Sequence, residues 1–275
     1  MSELVEFSTL AATLEPWRHQ VVFIGGWAYR LYRYEPRAYK PDYEAIFTQD
    51  ADVAYAKQEA LEGDIKKALE GAGFSEEANL SGGFKPPAMR YTFGEDGFYA
   101  EFLTPLTGSP RRRNKVTGEF EPDATEANGG VVAQKLRHLE VLLHEPWMVT
   151  IPAEDSGLGE SVVDLRIPNP VSFIVQKLLI RDDRVARKRA QDVLYVHDTL
   201  YIFSGAIESD LCPIWRTLEA ALTEAQRKSV RAGITELFSE VKDVIRDAAT
   251  IPSDRKLEPE DMLKLCQYGI GELFR

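Results

Sequence analysis

"TQDADVAY", residues 48–55, alternates strictly. Ala51, Val53 and Tyr55 fall on one side of an extended chain and Asp50, Asp52 and Ala54 on the other, the period of two that marks a strand with unlike faces. Both aspartates therefore share a face. Upstream, "VVFIGGWAYRLY" (21–32) is a β-branched run that stops at Gly25 and Gly26 and continues with Ala28, Leu31 and Tyr32 at helical spacing. A strand feeding a glycine turn and a helix start presents backbone N–H groups to an anion, although a Gly-Gly pair also serves any tight turn.

Downstream, "AMRYTFGEDGFYAEFLTPL" (88–106) has the pattern of a hairpin, two alternating runs joined by a turn-forming "GEDG". On its second strand Phe98, Ala100 and Phe102 point one way while Tyr99, Glu101 and Leu103 point the other. Glu101 is thus a third carboxylate, on a strand that can lie beside the one bearing Asp50 and Asp52. Three carboxylates on one sheet face repel each other, so their convergence predicts a divalent cation. An all-oxygen donor set suggests Mg2+ or Mn2+.

The remaining chain frames this set. The spacing predicts a helix over 8–17 capped by Ser8, a Pro-broken aromatic insertion over 33–47 acting as a surface loop or flap, and a helix over 57–70. A long polar loop over 105–130 carries the basic run Arg111, Arg112, Arg113 and Lys115, followed by a helix near 131–144 and the strands "WMVTI" and "SVVDLRI". From Pro170 onward the pattern is helical, over roughly 170–180, 184–203, 213–222, 224–247 and 258–274. The expected architecture is α/β (α+β), a mixed sheet with flanking helices followed by a C-terminal helical domain.

Composition narrows the function classes. The chain has 275 residues, is 44% hydrophobic and 28% charged, and carries a net charge of -11, which argues against a generic basic coat for nucleic acid but leaves room for a local basic groove. Two cysteines, Cys212 and Cys266, supply neither a disulfide framework nor a zinc cluster. His19, His138, His144 and His197 show no metal spacing and are taken as surface or packing residues. No signal peptide or membrane span is apparent, so a cytoplasmic location is expected.

The order of strand, Gly-Gly, helix, "T-x-D-A-D-V" and a later single acidic strand residue resembles the polymerase-β-type nucleotidyltransferase superfamily. Within it, "LRHLEVLL" (136–143), "VVDLRIPNPVSFIVQKLLI" (162–180) and "RKRAQD" (187–192) resemble bacterial nucleotidyltransferase-like proteins related to abortive-infection toxins. The resemblance spans roughly residues 20–200 and implies a nucleotidyltransferase domain over 1–168 and a helical domain over 169–275. It also implies transfer of an NMP from an NTP such as ATP to an acceptor hydroxyl, an RNA 3′ end or a small molecule, with release of pyrophosphate.

By the same resemblance Asp50, Asp52 and Glu101 bind metal and carry catalysis, while Gly25, Gly26, Thr48 and Lys177 hold the nucleotide. Asp192 matches an acidic position. Two departures stand out: Trp27 follows the glycines where a small polar residue is usual, and the Gly26-to-Asp50 gap is long for the family. Trp27 either stacks on a base or crowds the phosphates, and the insertion either folds away or covers the site. The alternative to an enzyme is a catalytically silent module of the same fold that binds a protein partner.

Overall fold

The computed structural model describes residues 3–46, 48–57, 60–79, 88–94, 97–109, 111–113 and 120–275. The chain divides into two units, Met1–Leu31 with Phe47–Ile167 and Tyr32–Ile46 with Pro168–Arg275. In the first unit the elements run α1 (Glu3–Thr13), β1 (Val21–Ile24), α2 (Gly25–Leu31), β2 (Asp50–Tyr55), α3 (Ile65–Gly71), β3 (Phe74–Asn79), β4 (Ala88–Phe93) and β5 (Phe98–Pro105). They continue with β6 (Arg111–Arg113), β7 (Phe120–Pro122), β8 (Thr125–Asn128), β9 (Val131–Leu136), α4 (Leu139–Leu142), β10 (Trp147–Ile151), α5 (Ala153–Ser156) and β11 (Val162–Ile167).

A mixed sheet in the order β1-β2-β5-β4-β3 forms the body of this unit, with β9 joining β5 beyond the β4 pairing and β8 joining β9. Among the described residues only β2–β5 and β5–β9 pair in parallel. Alternation sorts the two faces as expected for half-buried strands. Ala51, Val53, Tyr91, Phe98, Ala100 and Phe102 are buried, whereas Asp50, Asp52, Tyr99 and Glu101 are half-buried and Ser75 and Glu77 exposed. The core continues into α1, where Phe7 and Leu10 are fully buried.

Several local expectations are corrected. The first helix starts at Glu3, so Ser8 is buried inside it rather than capping it. The third helix begins only at Ile65, because the Asp64 side chain accepts a hydrogen bond from Lys67 N at 3.0 Å and fixes the start there. Strand β3 follows that helix. The loop over 105–130 contains β8 and the paired β6–β7, and Lys115 lies outside the described residues. The helix near 131–144 is instead β9 followed by a four-residue helix: Val131 and Ala133 are buried while Val132 and Gln134 are half-buried, a period of two after the Gly129-Gly130 turn.

The second unit comprises α6 (Pro170–Ile180), α7 (Ala186–Ile202), α8 (Cys212–Ala221), α9 (Glu224–Phe238), α10 (Asp243–Ala249) and α11 (Pro259–Leu273), with a π-turn over Ile207–Leu211. Helix α6 is buried along its whole length; Asn169 caps it by accepting from Ser172 N at 2.8 Å, and Pro170 begins it. The single helix expected over 224–247 breaks after Phe238. Its end carbonyls find side-chain partners there: Lys242 Nζ donates to Glu236 O and Gln267 Nε2 to Phe238 O, both at 2.9 Å.

The 32–46 segment belongs to this second unit. It is pinned by backbone and side chains: Tyr39 N donates to Ile202 O at 2.7 Å, and Glu44 N to Asp254 Oδ2 at 2.8 Å. The Arg255 guanidinium lies 3.3 Å from the centre of the Tyr43 ring. Beneath it, Arg255 holds both oxygens of the fully buried Asp198 at 2.7 and 2.8 Å, and His197 Nδ1 meets the same carboxylate at 2.8 Å. Among the described residues no helix is long and apolar enough to cross a membrane.

Candidate functional site

Strand register builds the centre of the site. Asp52 on β2 is the direct neighbour of Glu101 on β5, and Asp50 is the neighbour of Tyr99 one pleat away. Because paired residues point to the same face, Asp50, Asp52 and Glu101 share the accessible side of the sheet. Their combined charge is felt by Tyr99, whose hydroxyl is pushed up to about 12 by burial and then by Asp50, Glu101 and Asp52, with Arg90 opposing. Alternation sets these groups on one face of each strand, and the parallel β2–β5 register brings them together.

The glycine turn meets the aspartates from the β1 edge. Gly25 follows Ile24, the register partner of Asp52, and has φ +66°, a left-handed conformation that favours glycine. A Cβ there would overlap the Asp52 carboxylate, and a Cβ on Gly26 would come within 2.9 Å of the Thr48 side chain. Thr48 in turn donates its hydroxyl hydrogen bond to Asp50 Oδ1. Each glycine thus makes room for a residue of "T-x-D-A-D", and the turn, Thr48 and both aspartates form one contiguous cluster. Trp27 turns away from it: it is fully buried, stacked on Phe7 with ring centres 4.0 Å apart and edge-on to Phe98 at 6.2 Å. It is a core residue and offers no platform for a base.

Hard oxygen donors from three neighbouring side chains, flanked by a glycine turn without side-chain bulk, suit a divalent cation of the Mg2+ or Mn2+ type. Among the described residues, however, no group of three or more His, Cys, Asp or Glu side chains is already gathered as a metal cage. The Asp50 carboxylate is engaged by Thr48, and that of Asp52 lies against Gly25. The donor chemistry fits an ion.

The other expected nucleotide residue, Lys177, lies in the second unit on α6. It is buried and pairs with Asp192 Oδ1 at 2.8 Å, the second oxygen of which accepts from Arg184 Nε at 3.1 Å. Lys177 Nζ also lies 5.1 Å from the ring centre of Phe173 and 5.5 Å from that of Tyr195. The two positions singled out from the resemblance are thus partners of one another. His197 is a packing residue, buried beside Asp198.

The site includes residues that sequence reasoning did not single out. Arg90 on β4 is the register partner of Glu101, so Arg90 and Thr92 lie on the carboxylate face beside Glu101 and Tyr99. The hairpin alternation contained this signal, since counting outward from the "GEDG" turn pairs Arg90 with Glu101. No curated protein and no solved structure matches the chain. A family described as Nucleotidyltransferase matches residues 4–218, which include the glycine turn, all three carboxylates and the Lys177–Asp192 pair. The chain therefore belongs to this nucleotidyltransferase family of enzymes.

Proposed function

We propose that the chain transfers an NMP from an NTP to a hydroxyl of its acceptor, releasing pyrophosphate, with Asp50, Asp52 and Glu101 as the acidic centre. The observation that carries this reading is the side-by-side register of Asp52 and Glu101, with Asp50 on the same face and Gly25 packed on the Asp52 carboxylate. Asp50, Asp52 and Glu101 would hold Mg2+ or Mn2+, which when bound supplies positive charge to offset the carboxylates and the triphosphate.

The chain's own residues have separate roles. Gly25 and Gly26 leave the turn open to the phosphates, whose oxygens take backbone N–H groups. The Thr48 hydroxyl fixes the orientation of Asp50, and Gly25 that of Asp52. Glu101, at the edge away from the turn, accepts the proton of the acceptor hydroxyl. The acceptor oxygen then forms a bond to the α-phosphorus as the bond to the pyrophosphate oxygen breaks, and pyrophosphate leaves past the glycines.

Calorimetric titration with each of the four NTPs in the presence of Mg2+ tests the reading. Wild-type chain should give heat with at least one NTP, and Asp50→Ala should abolish it. Absence of heat with every NTP, or an unchanged isotherm for Asp50→Ala, counts against the proposal.

A further inference from the structure

Beyond the carboxylates the accessible sheet face continues as two ordered rows. One runs Asp52, Glu101, Arg90, Glu77 across β2, β5, β4 and β3; the next runs Asp50, Tyr99, Thr92, Ser75. The glycine turn lies on the β1 side of Asp52, so Arg90 and Tyr99 occupy the flank of the carboxylates opposite the proposed phosphate site. On that flank the Arg90 guanidinium lies 5.5 Å from the Tyr99 ring centre and donates to Glu77 Oε2 from Nε at 3.2 Å and from Nη2 at 2.9 Å. Both side chains of that ion pair are well exposed, at 38% and 48%.

Resting on the proposed nucleotidyl transfer, we infer that Arg90 and Tyr99 form the acceptor subsite, which takes a nucleoside 5′-phosphate whose 3′-hydroxyl is presented to Glu101. An acceptor that carries its own phosphate is repelled by three carboxylates, and a cation next to Glu101 offsets that repulsion. Arginine suits the task because its planar fork bonds two phosphate oxygens at once. A half-exposed ion pair such as Arg90–Glu77 is weak and is readily exchanged for a phosphate. Tyr99 supplies the flat face on which a base or sugar ring rests, as aromatic residues do for single-stranded nucleic acid. This chemistry is shared by a polynucleotide 3′ end and a free mononucleotide.

Fluorescence anisotropy on the full chain, with Mg2+ and a non-hydrolysable NTP analogue, separates these sources. The probes are a short 5′-fluorescein single-stranded RNA with a free 3′-hydroxyl, and AMP as competitor. Arg90→Ala is expected to weaken RNA binding about tenfold, the value of one charge-assisted contact. It should also flatten the slope of log affinity against log salt by about 0.7, the signature of one single-strand phosphate. Tyr99→Leu should weaken binding without changing that slope, and Arg90→Lys should restore the slope but not the full affinity.

The exposed Arg246→Ala removes the same charge elsewhere and serves as the reference, with melting curves confirming that each variant folds. RNA left unbound while AMP binds in an Arg90-dependent way supports the subsite with a free nucleotide as its ligand. The inference is overturned if Arg90→Ala behaves like Arg246→Ala, if it abolishes binding of the NTP analogue as well, or if neither RNA nor AMP binds. Failure of the wild-type chain to bind any NTP with Mg2+ instead removes the nucleotidyl-transfer reading itself, whatever Arg90 does.

Discussion

Two residues beside the glycine turn show how much a single position decides. Gly25 has a positive φ and its missing Cβ leaves space for the Asp52 carboxylate, so Gly25→Ala both strains the backbone and displaces a proposed ligand. We expect a stability loss of about 1 kcal/mol or more in urea titration and a loss of Mg2+–NTP binding out of proportion to it. Trp27, two residues later, behaves oppositely. Buried on Phe7 and Phe98, it should cost about 3–5 kcal/mol when changed to alanine, and Trp27→Phe should retain nucleotide affinity. A stable Trp27→Phe chain that no longer binds nucleotide would restore the base-stacking role. The sequence made the shared face of Asp50 and Asp52 legible because a strand repeats every two residues. It left the direction of Trp27 open because a seven-residue helix has too few positions to define a face.

Elements were legible where a period ran long enough to dominate. Helices α6, α7 and α11 and the β4–β5 hairpin follow from apolar spacing and turn residues, whereas the apolar run of β9 suits a helix as well as a strand because its strand alternation lasts only six residues before the Leu139–Leu142 turn. The break between α9 and α10 was invisible because the groups that satisfy its carbonyls, above all Gln267, come from far along the chain. The Asp198–Arg255 pair is likewise a long-range contact that no local pattern announces. Asp198 is fully buried and held at both oxygens by Arg255, so Asp198→Ala removes two charge-assisted hydrogen bonds from the Arg255 guanidinium and should cost about 3–5 kcal/mol in chemical denaturation. A loss near zero would mean that Arg255 finds another partner. On α11, Cys266 is fully buried and its thiol is pushed up by burial and by Asp198, while Cys212 is partly accessible. A native-state thiol titration should therefore count one fast-reacting cysteine, and Cys212→Ser should remove it.

At the scale of the whole chain the contacts gather Met1–Leu31 with Phe47–Ile167 and Tyr32–Ile46 with Pro168–Arg275. Residues 32–46 interrupt the first unit in sequence yet pack with the helices of the second, through Tyr39, Tyr43 and Glu44. Their aromatic and proline content signalled a loop, but its partners, Ile202, Asp254 and Arg255, are more than 150 residues away by the sequence numbering. The family match stops at residue 218, within α8, although α7 packs against α10 and α11. A chain ended at residue 218 should accordingly lose cooperative unfolding of its helical half, seen as a lower and broader thermal transition; an unchanged transition would show that α9–α11 are dispensable. The central claim, that Asp50, Asp52 and Glu101 direct nucleotidyl rather than phosphoryl transfer, is tested most directly with NTPs labelled at the α- or the γ-phosphate. The wild-type chain, incubated with Mg2+, total RNA and cell lysate, should move the α-label onto an acceptor and release the γ-label in pyrophosphate, and Asp52→Asn should do neither. Transfer of the γ-label to an acceptor, or α-label transfer that survives Asp52→Asn, would contradict the account.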